Sequence, residues 1–143
     1  MTRRHHAPRS RENPLFHRAA MKTAFPQFRW RVTRAGGVQW KGTLQPTPES
    51  QAYDVVIVHE PDRMPVVHVE RPSIRKDAWH RYPDGSLCLY WPKEWQWSPR
   101  ESLAETIIPW AAFWLYYYEL WCVTGEWLGP TSPHRPGTRK EAA

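Results

Sequence analysis

The sequence predicts an α+β fold, with one short helix, a four-stranded antiparallel meander and a second, longer helix. Apolar residues alternate with polar ones from residue 28 onward, the period of half-buried strands. Between residues 103 and 121 they recur instead at four- and three-residue steps, the stripe of a helix packed on a sheet. Turn residues separate the strand-like runs, so consecutive strands can pair as neighbours. A length of 143 residues is one domain. Its expected bounds are a flexible basic tail over 1–12, the folded body over 13–128 and a Pro-rich tail over 129–143.

The first helix opens at Asn13-Pro14, an N-cap residue followed by proline at the first helical position. It covers 15–24 and ends before Pro26. Phe28, Trp30 and Val32 then alternate with Arg29, Arg31 and Thr33, which predicts a strand with one buried face. Gly36-Gly37 supplies a hairpin turn. Val38, Trp40 and Leu44 line the second strand, interleaved with Gln39, Lys41 and Thr43. After a Pro-rich loop at 46–50, the Val55-Val56-Ile57-Val58 run predicts a third strand covered on both sides. Glu60-Pro61-Asp62 turns the chain into a fourth strand at 66–69, closed by Pro72. No internal repeat is present.

The long helix is expected to open at Ser98-Pro99-Arg100-Glu101, a capping box with proline at the first helical position. Its stripe is Leu103, Ile107, Trp110, Trp114, Tyr117 and Trp121. Pro109 must kink or split it, and Gly125 is its stop. Residues 107–123 approach the length of a membrane span, but they include Pro109, Glu119 and three tyrosines, which favours a buried core helix.

Charge is uneven along the chain. Residues 1–34 hold nine Lys/Arg and one acid, a charge of +8, and the remainder holds eleven against thirteen, a charge of −2. A positive front end attracts nucleic acid, an acidic partner or a membrane surface, or it is a solvated tail with the outer faces of a helix and a strand. No stacking platform is interleaved with these cations, which weighs against nucleic acid. Two distant cysteines exclude a disulfide framework, and no apolar stretch follows the basic start, so a reducing cytoplasm is the expected compartment.

The stretch from His80 to Tyr90 carries the most chemistry. Pro83-Asp84-Gly85 is turn chemistry, so Cys88 sits on an irregular loop after the sheet. With His80 on the same loop, and Arg81 and Lys93 close by, Cys88 has the surroundings of a nucleophilic thiol. The competing reading makes Leu87-Cys88-Leu89 core, since free cysteine is among the most buried residue types. Cys122, within the apolar helix, is expected to be buried. Trp91, Trp95 and Trp97 fit a gate or partner-docking surface beside the cysteine, or core packing.

In element order and in these motifs, the chain resembles the ubiquitin-conjugating (UBC) enzymes. A helix and meander are followed by His80, then Gly85-Ser86-Leu87-Cys88-Leu89, then Trp97-Ser98-Pro99 and a helix. The His80-Arg81-Tyr82 and Ile107-Ile108-Pro109-Trp110-Ala111 runs are similar to the stand-alone bacterial conjugating proteins of cyclic-oligonucleotide-based antiphage signalling systems (CBASS). The resemblance spans roughly 13–122 and implies a UBC-like fold and a cysteine-dependent acyltransferase in antiphage defence. It places Cys88 at the thioester position and His80 at that of the motif histidine, a support for the loop. Tyr82 stands where the family has an asparagine, and a phenol has a different reach towards an oxyanion. Asp84 and Asp77 are candidates for orienting or deprotonating the incoming amine, against the plainer readings of a turn residue and a surface charge. The implied acyl donor is the C-terminus of a partner protein, a cGAS-like nucleotidyltransferase. No cofactor is implied, and a homodimer is among the assemblies considered.

Two other classes compete. One is a non-catalytic UBC-fold module that binds a ubiquitin-like or nucleotidyltransferase partner; such relatives lack the cysteine. The other is a zinc site from His80, Cys88, Cys122 and His134, none of which has close ligand spacing to another.

Overall fold

The computed structural model describes residues 14–90, 97–98 and 100–130. The expected tail at 1–12, the Asn13 cap, Trp91, Lys93, Trp95, Pro99 and His134 lie outside them. The order of elements is α1 (Pro14–Ala24), β1 (Arg29–Val32), β2 (Val38–Leu44), β3 (Tyr53–His59), β4 (Val66–Arg71) and α2 (Ile107–Thr124). The strands form one antiparallel sheet in the order β1-β2-β3-β4. The α+β class and the meander are as the alternation predicts.

One apolar cluster joins the sheet to both helices. Trp40 and Leu44 of β2, Tyr53, Val55 and Ile57 of β3 and Val67 of β4 are buried with Met21 of α1 and the inner face of α2. Successive burial of Val55, Val56 and Ile57 is the two-sided cover expected of a central strand. Gly42 opposes the Phe28 ring so closely that any β-carbon there would collide with it, which lets Phe28 bury at the start of β1.

β1 departs from expectation. All four of its residues are exposed, Trp30 and Val32 among them. Only Phe28, one residue before the strand, reaches the core. β1 is an edge strand, and the face of α1 turned to it sets Arg18 and Lys22 beside Leu15 and Ala19; the Arg18 guanidinium lies 3.7 Å above the Trp30 ring.

The long helix also starts later than its capping box suggests. Ser98 stabilises a turn instead, its carbonyl accepting from the Glu101 amide and its hydroxyl from the Arg100 amide. Further turns follow over 103–106, and α2 begins at Ile107. Pro109 therefore falls in the first turn, where a missing N–H breaks no intrahelical bond. Gly125, with φ 79°, caps the helix through its amide to the Trp121 carbonyl.

Within α2, Ile107, Ile108, Ala111, Trp114, Leu115, Tyr118 and Trp121 are buried, while Trp110 and Tyr117 sit half-buried at the margin. Cys122 is exposed, against expectation. The last turn, 122–124, runs past the packed cluster, so an apolar sequence there does not imply burial. Glu119 explains the one acid in the helix. It accepts hydrogen bonds from Ser50 Oγ (2.5 Å), Tyr53 Oη (3.1 Å) and the Gln51 amide (3.4 Å), tying the Pro-rich loop to α2. No described helix is long and apolar enough to cross a membrane.

Candidate active site

The loop carrying Cys88 hangs on the outer edge of β4. The Leu87 amide donates to the Val67 carbonyl at 2.8 Å, and Arg81 and Leu87 form an isolated antiparallel bridge. Between them the chain reverses at residues 82–85. The Gly85 amide donates to the Tyr82 carbonyl, and Gly85 takes φ 88°, a conformation that suits glycine. Asp84 fastens the turn from outside: its Oδ1 accepts from the Ser86 amide (2.8 Å) and hydroxyl (2.6 Å). Those bonds hold the Asp84 carboxyl below its ordinary range, the hydroxyl contributing most.

His80 is the pivot of the loop, and it acts through its backbone. Its carbonyl accepts from the Cys88 amide at 2.8 Å and from the Trp114 indole nitrogen at 3.0 Å. Its φ of 56° lies in the left-handed region, uncommon for a residue with a β-carbon but less so for histidine. Two donors on one carbonyl fix that conformation. The imidazole is buried, its centroid 4.9 Å from Trp127 and 6.1 Å from Trp79.

Cys88 is itself buried, with 8% of its surface exposed, and its thiol donates to the Tyr90 carbonyl at 3.4 Å. The same loop walls a cleft of about 230 Å³, lined by Tyr82, Asp84, Leu87, Leu89 and Tyr90 and by the chain entering β4; Leu87 and Leu89 face it, and Cys88 between them is not part of its lining. Its walls bring together Tyr82 and Asp84, both exposed, on either side of the turn. Tyr90 closes one end, its ring edge-on to Trp110 at 5.7 Å and its hydroxyl 3.6 Å from Met64 Sδ. Burial pushes the Tyr90 phenol up to about 12, so it is neutral across physiological pH.

Other candidate residues stand apart from this cleft. Asp77 pairs with Arg75 through two bonds of 3.1 and 2.8 Å on the surface. Trp97 takes the core alternative: it is buried, donates to Thr106 Oγ1 at 3.2 Å and packs against His59 and His17. Cys88 is buried on its loop while Cys122 is exposed on the last turn of α2. Among the described residues, no group of three or more His, Cys, Asp or Glu is placed to hold a metal.

Sequence reasoning missed Trp114, Trp127 and Arg81 as parts of the loop's support. Arg81 spans the turn, donating to the carbonyls of Gly85 (3.2 Å) and Arg75 (3.1 Å). Trp114 was readable as a core residue, and a buried indole needs an acceptor for its N–H. Nothing in the sequence names His80 as that acceptor, 34 residues away.

A sequence model of the type II CBASS E2 protein family matches residues 17–135, which includes the whole sheet, the cysteine loop and α2. The chain belongs to that family. An E2-like role in CBASS antiphage defence, among CBASS partner proteins, follows from this membership. No curated protein matches the chain. The α+β architecture of this CBASS E2 protein, with its four-stranded antiparallel sheet and two helices, is consistent with an E2-like fold.

Proposed function

We propose that this CBASS E2 protein is an acyl carrier and transferase that uses Cys88 as its nucleophile. The thiolate attacks the C-terminal carbonyl carbon of a partner protein, by the family resemblance a cGAS-like nucleotidyltransferase, whose carboxylate has first been activated as an acyl-adenylate or a thioester. The adenylate or thiol leaves and a thioester to Cys88 forms. An amine, typically of a lysine, then attacks the thioester carbon. The nitrogen gains the acyl group, the sulfur leaves as thiolate, and the amine proton passes to solvent or a nearby base. A thiolate is a good leaving group, so the second step asks for positioning rather than a strong general acid. That activation of the partner's carboxylate belongs to another protein.

The observation that carries this reading is the doubly held His80 carbonyl, which fixes the Cys88 backbone in a loop whose Tyr82 and Asp84 wall a cleft. Tyr82, exposed at the cleft, supplies one donor for an oxyanion. Asp84, held in its anionic form by Ser86, is a weak base and a good electrostatic partner for an ammonium, so its part is to orient the amine. His80 positions the loop. Trp91 and Trp95 complete the proposed partner contact, while Trp97 stays in the core.

Burial of the thiol, and its bond to the Tyr90 carbonyl, favour a second reading in which the fold binds its partner without chemistry. Co-expression with the cognate nucleotidyltransferase separates the two. The transferase reading expects an adduct cleaved by thiol reductants, made more persistent by Cys88→Ser and abolished by Cys88→Ala, each followed by intact mass. Full adduct formation and defence in Cys88→Ala would leave only the binding role.

A further inference from the structure

A groove of about 570 Å³ runs between α1 and the β1 edge, walled by Arg18, Lys22, Phe28, Arg29, Trp30 and Trp40 among others. Three of these are cations, and no acid lines the groove. Arg31 and Arg34 continue the positive edge, both exposed. Elsewhere Lys41, Arg71 and Arg75 each have an acidic partner, yet none of these five cations forms an ion pair among the described residues. A wall with spare positive charge is completed by anionic acceptors.

We propose that this groove binds an acidic, partly apolar peptide segment of a partner protein. Its carboxylates meet Arg18, Lys22 and Arg29, and its apolar side chains lie on Trp30 and the floor beneath. The chain's own ends do not fit: residues 1–13 hold four Arg and one Glu, and residues 131–143 hold two Arg, one Lys and one Glu. A second copy would bring the same positive face. Single-stranded nucleic acid prefers successive exposed aromatics, whereas Phe28 and Trp40 are buried and Trp30 alone among the groove's aromatics is exposed. The groove lies at the β1 edge and the Cys88 loop at the β4 edge, three strand spacings or roughly 14 Å across the sheet. A segment held here leaves the cysteine loop uncovered, so it can anchor a partner independently of what Cys88 does.

The test uses the full chain and a fluorescein-labelled peptide of alternating Glu and Leu, followed by anisotropy. Saturable binding is expected at low salt, weakening as added salt screens the exposed charges. The double variant Lys22→Glu/Arg29→Glu should weaken it by about tenfold or more, since two favourable charges become repulsive. Both side chains are exposed, and an unchanged thermal melt checks that the fold is kept. Cys88→Ala should bind the peptide as the parent does, which separates this site from the thioester chemistry. Absence of binding at low salt, or equal binding of a Lys/Leu peptide, overturns the proposal. Tighter binding of oligothymidylate of similar length also overturns it, in favour of a nucleic-acid surface.

Discussion

At the β4 edge the Leu87 amide closes onto Val67, and the chain beyond is held by Trp114, Arg81 and the Asp84 turn. At the β1 edge every strand residue is exposed, and the groove against α1 carries Arg18, Lys22 and Arg29 with no acid to balance them. The same sheet thus finishes one edge with bonded, buried chain and the other with charge. A bonded edge holds a thiol in one place. A charged edge resists pairing with another strand while staying open to a partner of opposite sign. The first kind of edge is expensive to disturb, and the second is cheap.

The largest expected effect tests that difference directly. Trp114→Ala removes a buried indole and one of the two donors on the His80 carbonyl. It should cost about 3–5 kcal/mol of stability, read as a shift of the denaturant midpoint. Trp114→Phe retains most of the packing and isolates the lost hydrogen bond, at about 1 kcal/mol. If the alanine variant is no less stable than a substitution on β1, the two edges are not energetically distinct.

Second in size is a pH effect at the seam between them. His59, at the end of β3, packs edge-on against Trp97 at 4.8 Å and faces His17 of α1 at 6.1 Å. Burial, and then the neighbouring His17, lower its pKa from 6.5 to about 4, although Glu60 pulls the other way. The unfolded chain therefore binds a proton at His59 that the folded chain rejects. The stability this contributes is fully present above pH 6.5 and is lost as the pH falls towards 4. Allowing for its partial exposure, the loss amounts to about 2 kcal/mol. His59→Phe should flatten that part of the stability profile, and an unchanged acid slope would show that His59 is not its source.

How much of this was legible beforehand differs between the edges for a physical reason. Hydrophobic period predicts strands and helices, so the meander and the two helices could be read from residues such as Val55 and Ile57. Period does not report what lies across a strand. Trp30 and Val32 alternate as well as buried residues do, yet they face arginine and solvent. Cys122 fails likewise, because the apolar run continues past the end of the packed cluster. The Pro83-Asp84-Gly85 turn after the sheet is readable from its residue types, whereas the His80–Trp114 bond joins residues too far apart for spacing to show.

A third, smaller effect probes the turn that holds Cys88. Gly85→Ala places a β-carbon at φ 88° and 3.2 Å from the Arg81 guanidinium. A strain of about 1 kcal/mol is expected from the left-handed backbone. Because Arg81 can shift, adduct formation should fall more than stability does, which a paired measurement of melting and adduct yield would reveal. Equal losses in both would mean that the turn contributes only to folding.

The smallest effect belongs to the β1 edge and sharpens the comparison most. Trp30→Ala removes an exposed ring whose contacts include the Arg18 guanidinium, and an exposed cation–π pair contributes about 0.5–1 kcal/mol. Stability should therefore change by less than about 1 kcal/mol, while affinity for the acidic peptide should fall. Arg18 loses its aromatic rest and is no longer held over the groove, so the charge remains but its position does not. A large stability loss from this one substitution would mean that the β1 edge is structural after all. A small loss with weakened peptide binding would show a surface kept for recognition.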